Sequence, residues 1–190
     1  MNELKLRLRL PLVVLAWLSF AVAGFCVWER YDATAGPVSP AAVSAHEASR
    51  LSLYLHPQCP CSQASLAEFG ELVKAHGRPG RAVFVCPPDS DADFAQGELL
   101  TMAGRLPGIR VALDRDGVEA RRVGAVTSGC VVATDDHGHV CFRGGLTLAR
   151  GRGGRASAVL QLLAEPPGGL TTAPVFGCPL FNDLENSRCR

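Results

Sequence analysis

Two cysteines separated by one proline, Cys59-Pro60-Cys61 within "HPQCPCSQAS", are the residues most able to do chemistry in this chain. Only a thiolate attacks a disulfide, so a reactive cysteine needs a depressed pKa. The start of a helix provides that, because its unpaired N–H groups and positive dipole end stabilise a negative sulfur. Pro60 suits the first helical position. That makes Cys59 the cap and puts Cys61 in the first turn. Cys59 is then expected to be the more exposed and to attack, with Cys61 resolving the mixed disulfide. His56, just upstream, could modulate the pair electrostatically or serve as an acid or base. A disulfide prefers Cα atoms about 5.5–6 Å apart. Closing so short a ring strains it, and strained disulfides are more oxidising. The expectation is therefore a donor or shuffler of disulfides, with no cofactor.

Other chemistries compete. Cys59, Cys61 and His56 offer two thiolates and an imidazole, which suit Cu(I) or Zn(II), so copper binding or delivery is an alternative. His137 and His139 fall in a predicted hairpin turn and read as solvated. A redox-inactive assembly module is the third reading. Six further cysteines complete a total of eight. Cys86 and Cys141 fall in strand-like runs and read as core thiols. Cys130 follows "TSG" and is either a buried strand residue or a neighbour of Cys59 or Cys61. Cys178, in "VFGCPLF", is a candidate third thiol in a tail able to pack on the domain, or pairs with Cys189 in an oxidising compartment. Cys26 lies in an apolar run and reads as a small apolar residue.

These thiols need elements to position them. "LSLYL", Leu51–Leu55, alternates as a strand does. A helix follows from Pro60, with Leu66, Phe69, Leu72 and Val73 on one face, and stops at His76-Gly77. "RAVFVC", Arg81–Cys86, and "IRVALD", Ile109–Asp114, are further strands. Between them a helix starting at Asp91 or Asp93 carries Phe94, Leu99, Met102 and Leu106. Glu119–Gly124 is a short helical piece. "CVVATD", Cys130–Asp135, and "VCFRGG", Val140–Gly145, form a hairpin around "DHGH". A last helix lies near Arg155–Ala164. The Gly/Arg loop Gly144–Gly154 before it could hold an anion at that helix start, although a solvated loop suits its composition better. This order implies an α/β fold with a mixed sheet and helices on both faces.

The remainder of the 190 residues lies mostly at the N-terminus. Leu10–Trp28 carries no charge and is long enough to cross a bilayer. Lys5, Arg7 and Arg9 precede it, which keeps that end cytoplasmic and places the C-terminal domain outside. A cleaved signal peptide, cut after Ala21-Val22-Ala23, is the rival reading. Ala33–Ala48 is rich in Ala, Pro, Ser and Gly and reads as a tether. The expected organisation is an anchor over 1–32, a tether over 33–49, a domain over 50–165 and a packing tail over 166–190. The formal charge of +1 gives no electrostatic case for nucleic acid, and no dinucleotide fingerprint is present.

"LYLHPQCPCS", "LDRDGVEARRVGAVTSG" and "VVATDDHGHVCFRGG" together resemble the thioredoxin-like superfamily over roughly Leu51 to Ala164. "DRDG…GAVTSG" looks most like its membrane-tethered, extracytoplasmic thiol–disulfide oxidoreductases. With "FGCPL" near the C-terminus, the chain is similar to bacterial proteins labelled RedB-like. The resemblance implies a single-pass protein of the bacterial inner membrane. Its domain would lie in the periplasm and act on extracytoplasmic protein thiols or disulfides. It also implies a Cys-x-x-Cys motif, where this chain has Cys-Pro-Cys, and a cis-proline in the loop facing it. Thr127-Ser128 stands where Thr-Pro is expected. A cis bond without proline costs about 2.5–4 kcal/mol, so a trans loop is expected, and the substrate surface formed by Thr127, Ser128 and Cys130 should differ from the family pattern.

Overall fold

The computed structural model describes residues 2–37, 51–86, 97–135, 137–165 and 169–181, with side chains from Pro11 onward. Contacts divide the chain into Met1–Thr34 and Ala35–Arg190. The first unit is helix α1, Asn2–Ala33. Its Pro11–Ala33 stretch is long and apolar enough to cross a membrane. Ser19 Oγ donates to the Leu15 carbonyl at 2.9 Å, so this hydroxyl is satisfied within the helix itself. The expected tether begins inside this helix at Ala33, while Ala35–Pro37 belong to the second unit. Its remainder, 38–49, lies outside the described residues, as do Asp91, Asp93, Phe94 and Cys189.

The second unit is a mixed α/β domain. In chain order it runs β1 (Leu51–Leu55), α2 (Ser62–His76), β2 (Gly80–Cys86), α3 (Glu98–Arg105), β3 (Ile109–Arg115), α4 (Val118–Arg122), β4 (Cys130–Thr134), β5 (Val140–Gly145), α5 (Ala156–Ala164) and β6 (Thr171–Thr172). The sheet order is β3-β2-β1-β4-β5-β6. The strands β1, β2 and β3 are parallel, β4 runs antiparallel to β1 and to β5, and β6 is parallel to β5. The two-residue β6 has no signal in the sequence pattern, being too short to show a period.

Strand β1 is central and buried along its whole length, because both sheet faces are covered. One face packs Leu51, Leu53, Leu55, Val131 and Phe142 against Leu66 and Phe69 of α2, Leu99 of α3 and Val159 of α5. Each such side chain contributes about 1.5–3 kcal/mol on burial. The other face packs Tyr54, Val83, Val85, Cys130 and Val132 against Ala120 of α4 and against Val175 and Leu180 from the C-terminal segment. The C-terminal segment therefore contributes Val175 and Leu180 to the second core. Helix α2 stops at Gly77, whose φ of 71° lets its N–H reach the Val73 carbonyl at 3.0 Å.

Two carboxylates organise polar groups inside the second layer. Tyr54 Oη donates to Glu119 at 2.7 Å, and Arg81 makes a two-pronged contact with the same carboxylate at 3.0 Å on each prong. The Asp114 carboxylate accepts from the backbone N–H groups of Glu119 and Ala120 at 3.0 and 2.7 Å, which anchors α4 to the end of β3. Glu119→Ala removes the acceptor shared by Tyr54 and Arg81. We expect a loss of about 1–3 kcal/mol in urea unfolding, because a buried hydroxyl loses its partner. An unchanged midpoint would show that the network contributes no net stability.

The anion position considered at the start of α5 is filled from within. Glu68 of α2 accepts from the Ala156 N–H at 3.0 Å and caps that helix. The preceding loop is also less solvated than its composition implies, with Leu146, Thr147 and Ala149 buried.

Candidate functional site

The thiols gather where the polypeptide leaves β1 and enters α2. After Leu55 the chain turns, the Cys59 N–H bonding to the His56 carbonyl and the Ser62 N–H to the Cys59 carbonyl, each at 3.1 Å. This extra turn sets the helix start at Ser62, with Cys61 as its N-cap. The expected start at Pro60 is thus two positions early. The expected exposures are reversed as well. Cys59 is only 4% exposed, and Cys61 is the half-buried, more open member. The reason is nonlocal: Cys178 lies against Cys59, with their sulfurs 3.0 Å apart.

Backbone pairing holds Cys178 there. Ahead of β4, the loop Val126–Ser128 pairs with the C-terminal segment: Ser128 N–H donates to the Cys178 carbonyl at 2.8 Å, and Leu180 N–H donates to the Val126 carbonyl at 2.9 Å. Thr127 and Pro179 form the antiparallel bridge between them. Val175, Phe176 and Leu180 are buried anchors on either side of the cysteine. Arg150 donates to the Gly177 carbonyl, and Gly36 N–H donates to the Val175 carbonyl at 2.8 Å. Gly177 is obligatory, since a Cβ there would sit 1.9 Å from the Ser128 carbonyl oxygen.

A line of hydrogen bonds leads to the sulfur of Cys59. The His56 N–H donates to Ser128 Oγ at 2.8 Å, and Ser128 Oγ lies 2.7 Å from Ser62 Oγ. Either hydroxyl of that pair can be the donor, and Ser62 also helps to stabilise the Cys59 thiolate. Burial alone would raise the Cys59 pKa. The hydrogen bonds from the Cys178 thiol, from Ser62 and from the Cys178 and Cys61 backbone outweigh it and hold the pKa below the ordinary thiol value. Cys178 moves the opposite way. Burial first, then its bond to Cys59 and the nearby Cys59 and Cys61 charges, push it up to about 12.

The other sequence-derived residues divide. Ser128 is 1% exposed and joins the site directly. Thr127 takes part through its backbone bridge to Pro179, while its hydroxyl donates to the Pro37 carbonyl at 3.1 Å. His56 contributes its backbone N–H. Its imidazole Nδ1 accepts from the Gln58 N–H at 3.2 Å, and burial lowers its pKa, so the ring is neutral near pH 7. Cys130 does not join the cluster. It is buried in the second core beside Tyr54 and Val132, and burial pushes its thiol up to about 12. Cys86 and Cys141 lie in β2 and β5 with raised pKa values, burial being the chief cause. His139 binds Asp135 in the hairpin turn, as a solvated turn residue does. Among the described residues no three His, Cys, Asp or Glu side chains group as a metal-ligand set. Ser62 was missed at the sequence level, where nothing distinguishes it from any serine opening a helix.

The fold and site define a mixed α/β domain with a low-pKa thiol at a strand-to-helix junction, following an apolar helix able to cross a membrane. No family model matches the chain, and no curated protein matches it. Solved structures do. A hypothetical protein from Sinorhizobium meliloti is 19% identical, with a TM-score of 0.53, covering 68% of this chain and 77% of its own. An uncharacterized conserved protein from Geobacillus kaustophilus is 16% identical, with a TM-score of 0.55, covering 78% of this chain and 92% of its own. These likenesses concern the fold.

Proposed function

We propose that the chain is a thioredoxin-like, membrane-anchored protein that exchanges disulfides with extracytoplasmic protein thiols, with Cys59 as its reactive sulfur. The alternation of β1, α2, β2, α3 and β3 before the β4–β5 hairpin supports the fold assignment. The basic residues Lys5, Arg7 and Arg9 ahead of the apolar helix support the orientation. One observation carries the chemistry: the Cys59 sulfur, at a strand-to-helix junction, lies 3.0 Å from a second thiol, that of Cys178. Two thiols in contact can pass into a disulfide, and the surroundings of Cys59 favour its thiolate, which is the form that attacks and the form that leaves.

The test is reduction of a disulfide-bearing peptide by the reduced full-length chain. Wild type is expected to react, and Cys59→Ser to fall to the uncatalysed background. The Cys59 thiolate, followed by its ultraviolet absorbance, should form with a midpoint below the ordinary thiol value of about 8.5, because its surroundings favour the charged form. Wild type and Cys59→Ser both at the uncatalysed background would favour the redox-inactive assembly module instead.

A further inference from the structure

We propose that Cys178, rather than Cys61, forms the working disulfide with Cys59, and that it presents the sulfur attacked by partner thiols. This rests on the exchange activity proposed above. The first ground is contact: the Cys59 and Cys178 sulfurs are 3.0 Å apart. The second is access. Cys59 is 4% exposed beneath the C-terminal segment, whereas Cys178 is half-buried, so an incoming thiolate meets Cys178 first. Gly177 beside it has no side chain to shield the sulfur. The third is the leaving group. Ser62 and the Cys61 N–H belong to the α2 entry and continue to stabilise the Cys59 thiolate after the bond to Cys178 breaks. A thiol of lower pKa leaves faster.

The steps balance as follows. In the oxidised chain Cys59 and Cys178 share an S–S bond. A thiolate of a partner dithiol attacks the Cys178 sulfur. The partner–Cys178 bond forms as the Cys59–Cys178 bond breaks, and the electron pair stays on Cys59. The partner's second thiolate then attacks its own linked sulfur and expels Cys178, which takes up a proton. The partner dithiol is oxidised to a disulfide, and the chain gains two electrons and becomes a dithiol. A more oxidising external disulfide reverses these steps and regenerates the chain. The substrate class is a protein dithiol.

The experiment uses the full-length chain in detergent, oxidised with glutathione disulfide, acid-quenched and mapped by tryptic peptides. The expected linkage joins the peptide holding Cys59 to the peptide holding Cys178, and it persists in Cys61→Ser. Brief treatment of the oxidised chain with reduced glutathione should place the adduct on Cys178 over Cys59 by about tenfold or more, given the leaving-group preference. Cys141→Ser, in β5, should change neither result. A Cys59–Cys61 or Cys178–Cys189 linkage, or an adduct mainly on Cys59, overturns the inference while leaving exchange intact. A wild-type chain that takes up no disulfide overturns the inference and the exchange reading together.

Discussion

Ser128→Pro, which restores the proline expected from the thioredoxin-like resemblance, will weaken the thiol site rather than repair it. Proline has no N–H, so the 2.8 Å bond from residue 128 to the Cys178 carbonyl disappears. The hydroxyl goes too, and with it the acceptor for the His56 N–H and the hydrogen-bond partner of Ser62. Each buried group left without a partner costs about 1–3 kcal/mol. The C-terminal segment should detach, and the Cys59 pKa should rise toward the ordinary thiol value as its donors are lost. Ultraviolet thiolate absorbance followed against pH measures the second effect, and urea unfolding the first. Ser128→Ala keeps the backbone N–H and should give the smaller loss. A proline variant as stable as wild type, with an unmoved thiolate titration, would falsify the role given to Ser128.

Gly177→Ala should open the site from the other side. The added methyl would stand 1.9 Å from the Ser128 carbonyl oxygen, a backbone atom fixed by the antiparallel pairing. Such overpacking costs about 1–3 kcal/mol, occasionally more. Since the strain is relieved when the segment lifts, that energy shifts the open population about five- to 140-fold, at 1.4 kcal/mol per tenfold. Alkylation of Cys59 by iodoacetamide at high pH should accelerate by a similar factor. Its thiolate should simultaneously form at higher pH, because the Cys178 donors are gone. The two effects pull in opposite directions, which separates tail release from a general loosening of the fold. Unchanged alkylation in Gly177→Ala would mean that the segment does not cover Cys59 in solution.

Much of the scaffold was legible in local pattern. The strand runs and the helix over α2 follow from periodicity, and Gly77 ends that helix by its left-handed conformation. The apolar helix and its basic flank follow from composition alone. Errors arose where neighbours override local rules. Pro60 is a good first helical residue, yet the turn from Cys59 to Ser62 moves the start to Ser62. "LSLYL" alternates like a half-exposed strand, yet Ser52 and Tyr54 are buried because the C-terminal segment and α4 cover the second face. The Gly/Arg loop read as solvated, yet Leu146, Thr147 and Ala149 are buried, and Glu68 serves the helix behind it.

The sequence by itself determined that a cysteine pair sits at the β1–α2 junction. That is a local fact, fixed by residue type and spacing. Only the tertiary structure decided which thiol Cys59 meets. Cys178 is 119 positions away in the chain. It reaches Cys59 because backbone N–H and carbonyl groups of Val126–Ser128 pair with Cys178–Leu180, and such groups are the same for nearly every residue. A contact set by main-chain pairing leaves little trace in side-chain spacing. The traces it does leave, Gly177 and Ser128, gain their meaning once the two segments lie side by side.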